Sequence, residues 1–160
     1  MEADVQGRGY SGGCQCGAVR FHLAGTPGQA SICHCRMCQK AFGGYFAPLV
    51  EVGGARLEWT RGAPTHFQSS NVVRRGFCAA CGTPLTYEWP EGLALAHGAF
   101  DDPAALPPAI QYGIEGKLPF ADHLGALPAR PTGQEPGSYL ARVVSRQHPD
   151  HDTAEWPPRA

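Results

Sequence analysis

No stretch of this 160-residue chain approaches the ~20 consecutive apolar residues of a membrane-spanning helix, and Met1 to Gly13 holds no apolar segment of signal-peptide length. Those absences set the expectation of a cytoplasmic protein with no membrane partner. Charge is sparse as well: 17% of residues are Asp, Glu, Lys or Arg, the net charge is -1, and the longest basic run is Arg74-Arg75. Binding a phosphate backbone calls for a clustered positive face, so nucleic acid is not an expected partner. Cysteine is missing everywhere except three short segments. Seven is an odd number, and with no secretory signal to accompany it a disulfide framework is the weaker explanation.

The chain is long enough for one domain with a real core and short for two. Glycine (21) and proline (15) exceed ordinary usage, which favours turns and short strands over long helices. Ala18 to Leu23 alternates apolar and polar residues with the period of a half-buried strand. Further strand candidates span 45–50, 56–60, 65–69, 72–77, 85–89, 93–100 and 109–115, and this spacing predicts a small β-sandwich or barrel. Residues 1–11 read as frayed. Cys33 to Phe42 reads as a helical turn stopped by Gly43-Gly44, and Asp101 to Leu106 as a capped turn. Three prolines and two glycines between Pro128 and Gly137 place the end of the compact domain near 128, giving a domain over 10–128 and an extension over 129–160. Within the extension, Ser138 is positioned to cap a short C-terminal helix whose Tyr139, Leu140, Val143 and Val144 share a face that would dock on the domain; residues 148–160 read as a solvated tail, His148 and His151 included.

The cysteines carry the chemistry. They fall as Cys14-Gln-Cys16, Cys33-His-Cys35-Arg-Met-Cys38 and Cys78-Ala-Ala-Cys81, spacings that let one turn of backbone aim two sulfurs at one tetrahedral ion about 2.3 Å away. The knuckle Cys78 to Gly82 supplies two ligands and needs a second pair, and Cys14-Gln15-Cys16-Gly17, with its matching glycine, offers one. Four thiolates close a structural zinc. Cys33, Cys35 and Cys38 remain, one ligand short, and an open position on zinc is where a substrate binds. A closed zinc completed by a histidine or aspartate, free thiols, a redox pair or an iron–sulfur cluster are the alternatives for this trio. His34, between two ligands, is expected to point away from the metal; Arg36, Gln39 and Lys40 are candidates to meet a substrate or the thiolates, or else a solvated turn. Alternation sends only one of Arg74 and Arg75 toward the thiols, and Trp59, Trp89, Phe67 and Phe77 are assigned to the core.

Gly12-Gly13-Cys14-Gln15-Cys16-Gly17-Ala18-Val19-Arg20-Phe21, Cys33-His34-Cys35-Arg36-Met37-Cys38-Gln39 and Arg75-Gly76-Phe77-Cys78-Ala79-Ala80-Cys81-Gly82-Thr83-Pro84-Leu85 resemble the glutathione-dependent formaldehyde-activating enzyme family, which includes centromere protein V. The resemblance runs over about residues 10–128, with the three motifs in the family's order. It implies a mostly β fold, a small sandwich of short antiparallel sheets around a zinc-ribbon-type site. It further implies a structural zinc on Cys14, Cys16, Cys78 and Cys81, a catalytic zinc on Cys33, Cys35 and Cys38, and a carbon–sulfur lyase joining a small thiol such as glutathione to an aldehyde such as formaldehyde. The chain departs from the family pattern in carrying Phe120 where members tend to have tryptophan, and in its extension beyond about 129. A zinc-stabilised protein-binding module without catalysis is the second expectation, and a thiol or metal sensor the third.

Overall fold

In a computed structural model of the chain, which describes residues 9–132, 137 and 139–157, the described residues form ten strands and one α-helix. The strands are β1 Gly9–Gly13, β2 Arg20–Ala24, β3 Ala30–Cys33, β4 Ala47–Glu51, β5 Arg56–Arg61, β6 Thr65–Gln68, β7 Arg74–Phe77, β8 Pro84–Trp89, β9 Gly92–Ala96 and β10 Ile110–Tyr112; α1 is Arg36–Phe42. They assemble into a three-stranded sheet, β1-β2-β5, and a seven-stranded sheet, β10-β3-β4-β9-β8-β7-β6. All pairings are antiparallel except β10 with β3, so the larger sheet is mixed. The fold is the mostly β, sandwich-like arrangement that the alternating pattern requires.

Because successive side chains of a strand leave on opposite faces, the larger sheet has two different sides. Val50 and Leu95, both fully buried, join Phe21 and Leu23 of β2 in the main core, whereas their neighbours Leu49 and Ala94 pack with Cys38 of α1 in a second cluster. Phe21 meets Phe100 at 5.2 Å and Trp59 at 5.9 Å, both edge to face. Truncating so enclosed a ring costs about 3–5 kcal/mol in a typical core.

Several expectations are corrected here. Residues 9–13 do not fray: they pair along the whole of β2. Residues 1–8 lie outside those described. The strand at 30–33 escaped notice because Ala30-Ser31-Ile32-Cys33 is too short to show a period. Residues 93–100 hold a strand only to Ala96, followed by a 3-10 turn at His97–Ala99, and the strand at 109–115 shrinks to three residues. Ser138 lies outside the described residues, and the C-terminal helix is a single 3-10 turn, Tyr139–Arg142. Beyond it, Val143 and Val144 of the expected docking face are exposed, at 61% and 86%. The tail after them packs on the domain. His148 is 3% exposed; its backbone N–H donates to the Gln15 carbonyl at 2.8 Å and its ring stands on Trp156 at 5.3 Å. Asp152 and the Thr153 carbonyl accept hydrogen bonds from Arg20 and Arg61. Polar residues near a chain end read as solvent-facing by composition alone, and only the fold reveals the two arginines waiting for them.

Arg20 explains why this corner is ordered. Its guanidinium, 3% exposed at residue level, grips Asp101 with both terminal nitrogens at 2.7 and 2.6 Å, and Asp101 also accepts from Ser11. Burial alone would raise the Asp101 carboxyl, but Arg20 and Ser11 outweigh it and hold the acid below its ordinary 3.8. A depressed carboxyl contributes stability above its ordinary value and surrenders it as the pH falls through the folded value. His148 is also held down, chiefly by burial, so the tail docks with a neutral ring and is disfavoured as the pH drops below about 6.5. Asp101→Asn, which leaves Arg20 buried and half-paired, is expected to cost about 3 kcal/mol in urea denaturation at pH 7. The same variant should show a shallower loss of stability than the wild type between pH 5 and pH 3; parallel pH profiles would contradict this assignment.

Candidate metal centre

The first thiol group is built from two like-shaped turns. After β1, the Cys14 N–H donates to the Val19 carbonyl and the Gly17 N–H returns to the Cys14 carbonyl, at 2.9 and 3.1 Å. After β7, the Cys78 N–H donates to the Thr83 carbonyl and the Gly82 N–H to that of Cys78, at 3.0 and 2.8 Å. Each turn closes on a glycine in the left-handed region, φ +77° at Gly17 and +78° at Gly82, where a side chain would be strained. The Gln15 N–H donates to the Thr83 hydroxyl at 3.0 Å and joins the two turns.

The four sulfurs of Cys14, Cys16, Cys78 and Cys81 lie within 4.8 Å of one another, with Cys14 to Cys16 at 3.6 Å and Cys16 to Cys78 at 3.8 Å. Sulfurs arranged tetrahedrally at 2.3 Å from an ion are about 3.8 Å apart, so the donor set fits zinc. The Val19 N–H donates to the Cys14 sulfur at 3.2 Å, and Thr83 touches that of Cys81 at 3.1 Å. Burial pushes Cys14, Cys16 and Cys78 upward. At Cys81 burial acts the same way but is outweighed by hydrogen bonds from Thr83 and Cys16, which bring it down to about 6. Four crowded thiolates need a cation at their centre, and Cys14 and Cys78 sit within the main core, so the ion would be part of that core.

The second group forms where β3 runs into α1. Cys33 ends the strand, and Cys35 caps the helix, its sulfur accepting from the Cys38 N–H at 3.4 Å. Gly43, left-handed at φ +62°, ends α1 as the glycine pair predicted. The sulfurs of Cys33, Cys35 and Cys38 again lie within 4.8 Å of one another, and among the described residues no fourth histidine, cysteine or carboxylate joins them. His34 turns away: its ring is 1% exposed, shares a hydrogen bond with Gln111 at 2.9 Å and meets Phe46 edge-on. Gln39 is buried and fully used, donating to the His34 and Gly116 carbonyls and accepting from Arg36. Neither Gln39 nor Arg36 lines the cavity beside the trio, and Lys40 is exposed.

Arg75 is the side chain that meets the thiols. Of the adjacent pair, Arg74 bonds Glu88 on the outside and Arg75 points inward, 4% exposed, its Nη2 donating to the Cys38 sulfur at 3.3 Å and its Nε to Ser69 at 2.9 Å. The guanidinium lies over the Tyr87 ring at 4.8 Å. No carboxylate pairs with it among the described residues, so its counter-charge is sulfur. Burial drives Cys38 up to about 12, against the pull of Arg75. A divalent ion on three thiolates carries about one negative charge, which Arg75 balances.

Beside the trio opens a cavity of about 300 Å³. Cys33, Cys35, Cys38 and Arg75 line it at one side, with Tyr87, Trp89, Leu49, Val73, Ser69, Ser70 and Glu51 around them. Trp89 packs against the second cluster, as assigned, and also borders the cavity, whereas Phe67, also assigned to the core, is 46% exposed. Tyr87 and Glu51 were missed. Both sit at even spacing from other lining residues, Tyr87 two before Trp89 and Glu51 two after Leu49, a signal that identifies a shared face but not what the face looks onto.

The glutathione-dependent formaldehyde-activating enzyme family matches residues 9–114 of the chain. Among solved structures, a crystal structure of a Rhodobacter sphaeroides protein superposes with a TM-score of 0.48 and 22% sequence identity, covering 63% of this chain and 98% of that one. No helix among the described residues is long and apolar enough to cross a membrane. With the match extending over both thiol groups and most of the strands, the chain belongs to the glutathione-dependent formaldehyde-activating enzyme family.

Proposed function

We propose that the protein is a zinc-dependent carbon–sulfur lyase of the S-hydroxymethylglutathione synthase type, which joins a small thiol to a small aldehyde and runs the reverse cleavage. The observation that carries this is the three-sulfur group with no fourth protein ligand among the described residues, facing a cavity. In this reading Cys14, Cys16, Cys78 and Cys81 hold a structural zinc and Cys33, Cys35 and Cys38 a catalytic one, two ions in all. The catalytic unit covers 10–128, with 129–160 an extension. Seven free cysteines suit a reducing compartment such as the cytoplasm, and neither nucleic acid nor membrane is a partner.

An ion held by Cys33, Cys35 and Cys38 would act as a Lewis acid, making an incoming thiol a sulfur nucleophile at neutral pH. In the synthetic direction the sulfur forms a bond to the aldehyde carbon, the carbonyl π pair moves to oxygen, and that oxygen takes up a proton equivalent to the one the thiol gave up. Arg75 holds positive charge beside Cys38 and offsets the anionic cluster, which keeps the site from repelling a fourth anionic sulfur. Ser69 accepts from Arg75 through its oxygen, leaving its own proton free for an oxygen in the cavity. Burial followed by the charge on Cys38 holds the Tyr87 phenol above its ordinary value, so it remains a donor. Leu49, Val73 and Trp89 supply apolar walls that limit water.

Cys35→Ser is expected to lower the metal content from two ions to one without shifting the melting temperature beyond a few degrees, because the main core and its four sulfurs are untouched. Exchange of labelled formaldehyde with thiol adduct, followed by NMR, should then be lost. Undiminished exchange would defeat the enzymatic reading and leave a metal-stapled binding module. Arg75→Gln should release one of the two ions at roughly tenfold lower chelator concentration while the other is unaffected. Equal release from wild type and variant would remove Arg75 from the charge balance.

A further inference from the structure

The cavity beside the trio has a composition that speaks to its ligand, given the reading above that the trio handles a thiol. Besides the three cysteines, only two of its lining side chains among the described residues carry charge, Arg75 and Glu51. Arg75 is committed to Cys38, Ser69 and the face of Tyr87, and its remaining nitrogen, Nη1, is buried. With its charge set against that of the loaded trio, this corner offers a ligand carboxylate little net attraction.

Glu51 is in the opposite position. It has no ion-pair partner among the described residues. Its place follows from the register: Cys33 pairs with Ala47, and Glu51 lies four residues further along the same face of β4, about 13 Å down the strand. Leu49 lies between them, and across the sheet Glu51 pairs with Ala94, which pairs in turn with Tyr87. The carboxylate rests against Gly28, where a Cβ would come within 2.9 Å of Oε2, so the glycine leaves room for it. From the sulfurs onward, the cavity thus offers apolar and aromatic surface and then an unpaired negative charge.

A protonated amine is the group that such an end recognises, through the carboxylate and through aromatic faces such as that of Trp89. A thiol with free carboxylates would instead meet the unpaired charge of Glu51 and no net positive charge at the trio to offset it. We propose that the thiol substrate of this protein carries a protonated amine several bonds from its sulfur and no free carboxylate, with the sulfur at Cys33, Cys35 and Cys38 and the ammonium at Glu51. Glutathione, with two carboxylates, is then a poor substrate for this member of the family.

Calorimetric titration of the zinc-loaded protein with three matched thiols tests this: 5-aminopentanethiol, 5-mercaptopentanoate and 5-hydroxypentanethiol, with glutathione alongside. The aminothiol is expected to bind at least ~10-fold more tightly than the mercaptocarboxylate and glutathione. In Glu51→Gln, with unchanged zinc content, the advantage should fall to about twofold or less. Raising the salt concentration should weaken aminothiol binding to the wild type while leaving the hydroxythiol unchanged, a readout that needs no variant. Equal or tighter binding of the mercaptocarboxylate or glutathione, an aminothiol preference that persists in Glu51→Gln, or salt-independent aminothiol binding would overturn the proposal while leaving thiol handling intact. If none of the thiols binds the wild type, the thiol reading itself fails, and this inference with it.

Discussion

Thiols buried close together cannot all ionise without a cation among them, and that constraint organises this molecule. Burial raises five of the seven cysteines above their ordinary values, Cys14, Cys38 and Cys78 being almost fully enclosed, yet backbone N–H groups and side-chain donors are aimed at the sulfurs as if they were anions. A metal ion among the sulfurs would reconcile the two tendencies by supplying the missing positive charge. A chain with so few large apolar residues in its main core would gain from such a centre what a larger hydrophobic interior otherwise provides.

The alternation of one sheet keeps the two thiol groups in different settings. β4 and β9 send Val50 and Leu95 toward the core that contains Cys14 and Cys78, and Leu49 and Ala94 toward the cluster that contains Cys38. One group is therefore enclosed by the packing between sheets, and the other looks onto a cavity. The same strands that stiffen the structural group form the floor of the open one, so rigidity built at the first is available to the second.

Local patterns in the sequence reveal what depends on local geometry. The two-sulfur turns at Cys14-Gln-Cys16 and Cys78-Ala-Ala-Cys81, the α1 stop at Gly43 and the alternation of 20–24 and 56–61 are each decided within a few residues, and each is present in the fold. What could not be read depends on partners far along the chain. Gln39 looked available to a substrate because its acceptors, the carbonyls of His34 and Gly116, are visible only once the turn after β10 is in place. The docked tail was hidden for the same reason: Arg20 and Asp152 are 132 positions apart.

Arg20 and Arg75 show how a fold uses the same side chain in two ways. Both are buried strand residues, but Arg20 is neutralised by carboxylates, whose charge is permanent at neutral pH, and Arg75 by sulfur, whose charge depends on what the sulfurs hold. The first pairing can do no more than fasten β2 to the loop at Asp101 and to the tail. The second ties the charge of a cavity wall to the occupancy of the site next to it, so that a loaded trio and Arg75 together present little net charge to an incoming ligand. With that corner balanced, the remaining charge on the wall is that of Glu51, and a single unopposed carboxylate decides which sign of ligand the cavity favours.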